Sequence, residues 1–153
     1  MDILPPPASS PPASTTLTAG NRAAVADAMA SARWTVACLC AAWCGTCGGY
    51  RAAFDGLAAR HPDKFFVWID IEDQADVVGD LDVENFPTLL LQQGETVAFF
   101  GTILPDPAIA HRLIEAQAGS AEAELLRQAG ASDERRGWQR DANLRALLRA
   151  AGD

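Results

Sequence analysis

Residues 34–47 read Trp34-Thr35-Val36-Ala37-Cys38-Leu39-Cys40-Ala41-Ala42-Trp43-Cys44-Gly45-Thr46-Cys47. The stretch from Trp34 to Trp43 carries no charge and is dense in Val, Leu, Cys and Trp, as a strand buried on both faces requires. Just beyond it, Tyr50, Phe54 and Leu57 recur at helical spacing, so strand gives way to helix at Cys44 and Cys47. Everything else in the chain is arranged around that junction.

Upstream, NRAAVADAMASAR (21–33) is Ala-rich with Val25 and Met29 four residues apart, the pattern of an amphipathic helix. Downstream, FFVWIDI (65–71) is β-rich, and the acidic segment Glu72–Asn85 places Val77, Val78 and Leu81 on one helix face. TLLLQQGETVAFFG (88–101) gives two strands around a turn at Gly94, an antiparallel hairpin. A helix is predicted from Pro105, with Ile109, Leu113 and Ile114 inward. The order α, β, α, β, α, β, β, α predicts an α/β fold, a mixed central sheet flanked by helices.

The ends differ in composition. Residues 1–16 contain five Pro among Ser, Thr and Ala, too little apolar surface to offset the entropy of ordering. The expected organisation is a disordered Pro/Ser-rich tail over 1–18, a folded unit over 19–119 and a helical C-terminal extension over 120–153. In the extension, Leu125 with Leu126, and Leu144 with Leu147 and Leu148, predict two short amphipathic helices. They either pack back on the unit or bind a partner.

A chain of 153 residues with 49% apolar and 21% charged side chains suits one globular domain. Its net charge of −8 argues against binding nucleic acid, an affinity that comes from clustered Lys and Arg. Residues 1–120 hold 14 acidic and 6 basic side chains, residues 121–153 six of each. No window approaches the roughly 20 apolar residues of a membrane span. The N-terminus has neither the basic nor the apolar region of a secretory leader, so a reducing cytoplasm is the expected compartment.

All four cysteines, Cys38, Cys40, Cys44 and Cys47, fall within ten residues, unlike the dispersed framework of small secreted domains. Cys44 is placed at a helix N-terminus, where unpaired N–H groups favour a thiolate. Cys47 follows one turn later, near enough to attack a mixed disulfide formed at Cys44 and release the reduced substrate. Cys38 and Cys40 share one strand face and read as small buried hydrophobes. Parallel side-chain vectors disfavour a bond between those two, while a Cys40–Cys44 disulfide during turnover stays open. Four thiolates also suit zinc or an iron–sulfur cluster, if the strand bends enough for them to converge. His61 and His111 read as surface residues, and Trp34, Trp68 and Trp138 as packing residues. The acidic run from Asp70 to Glu84 lacks an EF-hand pattern and reads as a solvated helix face.

The segment ACLCAAWCGTC (37–47) resembles the thioredoxin active-site strand and loop, where the family carries Trp-Cys-Gly-Pro-Cys. FPTLLLQQGETVAFFGT (86–102) resembles the family's Ile-Pro-Thr segment and following hairpin. The resemblance covers about residues 21–118. It implies a thioredoxin fold with Cys44 as nucleophile, Cys47 as resolving thiol and Pro87 as a cis-proline beside them. It also implies that Phe86 and Thr88 flank the reactive disulfide and that Trp43 and Gly101, with Gly45 and Thr46 between the cysteines, complete a docking surface. The implied activity is thiol-disulfide exchange on protein disulfides, with no bound cofactor and with electrons from an external thiol or reductase. The runner-up is a thioredoxin-fold binding or chaperone-like module whose C-terminal helices carry recognition. Three positions depart from the family pattern: Thr46 replaces Pro, Cys38 stands where many thioredoxins bury a carboxylate, and Trp68 stands where they bury a lysine. Without the carboxylate, deprotonation of the resolving thiol is expected to slow.

Overall fold

The computed structural model describes residues 14–151. The tail expected over 1–18 therefore lies mostly outside the described residues. Its last part belongs to the fold: β1 (Thr15–Thr16) pairs in parallel with β3 (Phe65–Asp70), and Leu17 is buried. Two residues are too few for a strand pattern to be visible in the sequence.

Five strands lie in the order β1-β3-β2-β4-β5. β2 (Trp34–Cys40) is central and buried at every position, as its lack of charge requires. It runs parallel to β3 and antiparallel to β4 (Thr88–Gln93), which turns through Gly94 at φ +58° into the antiparallel edge strand β5 (Thr96–Thr102). A positive φ is a conformation glycine adopts without a Cβ penalty, so Gly94 is where the hairpin can close.

Alternation along β2 separates two cores. Val36, Cys38 and Cys40 face α2 (Gly45–Arg60) and α4 (Pro107–Ala118) through Tyr50, Phe54, Leu57, Ala110 and Ile114. Ala37 and Leu39 face the other way, onto Val25 and Met29 of α1 (Arg22–Ser31) and Val77 and Val78 of α3 (Ala75–Val78). Buried Arg22 ties these last two helices together, donating to Asp76 at 2.7 and 2.8 Å and to Gln74 at 2.9 and 3.1 Å.

Two helices are shorter than their apolar spacing predicts. The acidic segment forms one turn only, because Asp70 Oδ1 accepts from the N–H groups of Glu72 and Asp73 and so holds the chain in a turn before α3 begins. The helix expected from Pro105 starts at Pro107, where Asp106 caps it by accepting from Ala108 N–H at 2.9 Å. The C-terminal extension forms three helices where two were expected: α5 (Glu122–Ala129), α6 (Asp133–Asp141) and α7 (Leu144–Ala151). Its Leu125 joins the α2 side of the core, and Leu144 and Leu148 join the α1 side.

His61 is buried, contrary to the surface position expected for it. It ends α2, stacks on Phe66, and shares a hydrogen bond with His111 of α4 at 3.0 Å between Nε2 and Nδ1. Burial, then the nearby Lys64 and His111, push its pKa below the ordinary histidine value, although Glu115 and Asp63 oppose them. The neutral imidazole is the folded form, whereas the unfolded chain takes up a proton near pH 6.5. Stability from this group is therefore complete above that value and declines as pH falls through it, by at most roughly 1.4 kcal/mol per pH unit. Urea midpoints are expected to drop between pH 7.5 and 5.5, and His61→Gln is expected to flatten that drop. An unchanged slope in the variant would assign the pH dependence elsewhere.

Candidate active site

The end of β2 and the start of α2 bring three of the four sulfurs together. Cys44 is the N-cap residue of α2, with extended backbone (φ −86°, ψ 117°), and its N–H donates to Ala41 O at 3.0 Å. It is partly exposed and packs against the α2-side core. Cys47 lies in the first turn of α2, on the same inward stripe as Tyr50, Phe54 and Leu57, and is buried. That stripe aims the Cys47 sulfur at β2 rather than at solvent.

Cys47 is disulfide-bonded to Cys40, with Cα atoms 5.8 Å apart, and Cys44 is a free thiol. Neither the spacing nor the resemblance had suggested this partner for Cys47. The signal was present in the parity of the strand: Cys40 shares the α2-facing side of β2 with Val36 and Cys38, and Cys47 continues the buried stripe of α2 toward that side. Cys40 is therefore a disulfide partner and not the small buried hydrophobe expected of it.

Cys38 is the fourth sulfur, fully buried, 3.9 Å from Cys40 Sγ. Burial pushes its thiol far above the ordinary cysteine range, with only a weak opposing pull from Arg51. At neutral pH it is a protonated thiol and does not take a proton as a buried carboxylate would. Its register partner across β2 and β3 is Trp68, the other position that departs from the family pattern. Trp68 is covered by the Arg51 guanidinium, 5.0 Å from the ring centroid, and packs on Phe54. The two positions that depart from the family's buried charges thus hold a thiol and an indole side by side. Among the described residues, no three His, Cys, Asp or Glu side chains converge as a metal site.

The Phe86–Pro87 peptide bond is cis. Phe86 packs against the core that holds Cys40 and Cys47, and meets the 67% exposed Trp43 edge-on, with ring centroids 5.5 Å apart. These two rings form an apolar ledge beside partly exposed Cys44. Gly45 and Thr46 are exposed in the first turn of α2. Thr88 is different: it is buried, its hydroxyl donates to Asn85 O at 2.6 Å, and it pairs across the sheet with Leu39, on the face turned away from the cysteines. Its side chain therefore braces the turn before Pro87 and does not flank the sulfurs. Gly101 lies half-buried opposite Leu89 on β5, where an added Cβ would meet the Phe99 ring at 3.3 Å.

A cavity of about 330 Å³ lies between the 80–84 loop, β5 and α6; Thr88 and Gly101 line it together with Asp80, Glu84, Trp138 and Asp141. None of the cysteines lines it.

The family model described as Thioredoxin matches residues 18–113. A thioredoxin H-type of Picea mariana is 31% identical over 81 residues, 52% of this chain and 65% of that protein. A thioredoxin of Ophiophagus hannah is 38% identical over 48 residues, 31% of this chain and 46% of that protein. The chain thus spans less than two thirds of the length of these curated relatives. Among solved structures, a poplar wild-type thioredoxin h superposes with a TM-score of 0.61 at 19% identity, over 70% of this chain and 97% of that one. With sheet order, cysteine loop, cis-proline and family match in agreement, the chain belongs to the thioredoxin family.

Proposed function

We propose that this protein is a thiol-disulfide oxidoreductase acting on protein disulfides, with Cys44 as nucleophile and Cys47 as resolving thiol. The observation that carries the reading is a free, partly exposed thiol at the N-terminus of α2, one helical turn from a cysteine already engaged in a disulfide. Cys44 attacks the substrate disulfide, one substrate sulfur leaves as thiolate, and a mixed disulfide forms. Cys47, in its reduced state, attacks Cys44 Sγ and releases the second substrate sulfur, and the resulting disulfide is reduced by an external thiol or reductase. The Trp43–Phe86 ledge supports docking of an apolar stretch of polypeptide beside Cys44, and Gly45, Thr46, Pro87 and Gly101 supply backbone around it. Thr88 contributes through backbone alone.

The redox unit is assigned to residues 19–119, joined by β1 at its sheet edge, with the helices of 120–151 as its support and the cytoplasm as its compartment. No described helix is long and apolar enough to cross a membrane. The alternative of a binding module working through the C-terminal helices has less support, because Leu125, Leu144 and Leu148 already pack into the two cores. Insulin reduction tests the reading: the full chain is expected to accelerate precipitation of insulin well above dithiothreitol alone. No acceleration would reject it.

A further inference from the structure

We propose that Cys40 is a third redox-active cysteine, and that Cys47 exchanges between two partners: Cys44 at the surface and Cys40 inside the core. The proposal rests on the reading of Cys44 and Cys47 as a redox couple and adds an internal step to it. Its basis is the position of Cys47. The residue is bonded to Cys40 across a Cα separation of 5.8 Å, inside the 4.4–6.8 Å span usual for disulfides. It also lies in the first turn of α2, three residues after Cys44, the N-cap of the same helix. Cys40, Cys44 and Cys47 all contribute to the same packed cluster, with Cys44 on its solvent side.

The step is an isomerisation. In the oxidised protein with a Cys44–Cys47 bond, the Cys40 thiolate attacks Cys47 Sγ. The Cys40–Cys47 bond forms, the Cys44–Cys47 bond breaks, and Cys44 leaves as the thiolate. The proton lost by Cys40 passes through solvent to Cys44, and no electrons enter or leave. The two-electron oxidation is then held between two buried sulfurs while the partly exposed nucleophile is free again.

The consequence is functional. An oxidised thioredoxin-type couple has no free nucleophile, but this chain in its Cys40–Cys47 form has one. In that form Cys44 attacks a substrate disulfide, and Cys47 is not available to resolve the product. The mixed disulfide persists until an external thiol reduces Cys40–Cys47, which makes covalent retention of substrate a property of the oxidised protein. Cys38 is buried 3.9 Å from Cys40 Sγ, and in the Cys40–Cys47 form, where Cys40 has no S–H, Cys38 is the donor of that pair.

The sequence supplies the means of testing this. The full chain is poised in reduced and oxidised glutathione, quenched in acid, blocked with N-ethylmaleimide and cut with chymotrypsin after Leu39, Trp43 and Tyr50. A Cys40–Cys47 bond joins residues 40–43 to residues 44–50, with maleimide on Cys44. A Cys44–Cys47 bond leaves residues 44–50 as one closed peptide and puts maleimide on Cys40. Both products are expected, in the same ratio from either the reduced or the oxidised starting state. In oxidised protein, Cys44 labelling is expected to fall by about tenfold or more in Cys40→Ala, with Cys40→Val as a second variant that preserves core volume. Wild-type protein giving only the closed 44–50 peptide would overturn the proposal. Insulin assays on the same preparations separate the two readings: turnover with only the closed peptide refutes the Cys40 step and keeps the reductase, and both linkages without turnover refute the reductase and keep the Cys40 pairing.

Discussion

Cys47→Ser is expected to lower insulin turnover by at least about 100-fold while leaving substrate attached to Cys44 as a stable mixed disulfide. The reason is one of effective concentration. A thiol held one helical turn from the sulfur it attacks reacts as an intramolecular group, and well-oriented groups of that kind reach effective molarities of about 10⁵ M or more. Its replacement is bulk thiol at millimolar concentration. Even a large loss from imperfect alignment leaves a deficit of orders of magnitude. Cys44→Ser is expected to fall to the reagent background as well, but with no captured species, because the partly exposed sulfur that starts the reaction is gone. Nonreducing gels of the two variants after incubation with insulin distinguish them. Equal turnover in Cys47→Ser and wild type would remove Cys47 from the mechanism, and adducts in Cys44→Ser would move the nucleophile to another cysteine.

The same geometry explains which parts of the molecule were legible in its sequence. β2 was, because a run without charge has few homes other than a central strand. The junction with α2 was, because Tyr50, Phe54 and Leu57 change the period from two to nearly four at the cysteines. Gly94 fixed the hairpin, since its positive φ is a demand few other residues meet. Elements set by single side-chain hydrogen bonds were not legible. Asp70 binding two following N–H groups halts the chain before α3, and Asp106 moves the start of α4 by two residues. β1 owes its existence to the β3 edge and not to its own two threonines. His61 looked like an exposed residue before Pro62, yet tertiary packing on Phe66 and His111 buries it.

In the site, residue type and spacing identified which sulfurs matter but not how they pair. Three residues between Cys40 and Cys44 and two between Cys44 and Cys47 favour local pairings on paper. The Cys40–Cys47 bond skips over the loop because the helix rotates Cys47 inward while the strand ends with Cys40 facing it. Thr88 shows the same principle in reverse. Its place next to Pro87 suggested proximity to the sulfurs, but the strand alternation that puts Leu89 on the cysteine side puts Thr88 on the other.

Truncation after Gly119 is expected to abolish cooperative folding, an effect larger than that of any single substitution. Residues 120–151 are not an appendage in energetic terms. Leu125, Leu144 and Leu148 are 2%, 1% and 4% exposed, and burying each contributes roughly 1.5–3 kcal/mol, so their joint loss is about 5–9 kcal/mol. A domain of this kind has about 5–15 kcal/mol in total. Polar groups add to the loss. Buried Gln92 donates to Asn143 Oδ1 at 2.7 Å and accepts from Leu144 N–H at 2.9 Å, so truncation leaves its amide short of partners in the interior. On the edge strand, Gln139 accepts from Val97 N–H and donates to Val97 O, both at 2.8 Å, completing β5 much as another strand would. Without it, the exposed edge is free to pair with other chains. The redox site depends on the same helices, because Leu125 packs into the cluster that contains Cys40 and Cys47. Thermal unfolding followed by near-ultraviolet circular dichroism is therefore expected to show a sharp transition for the full chain and none for residues 1–119, with Leu144→Ala between them at a loss of about 2–5 kcal/mol. A truncated chain that melts within a few degrees of the full one would make the extension peripheral, and would return the C-terminal helices to the role of a surface available to partners.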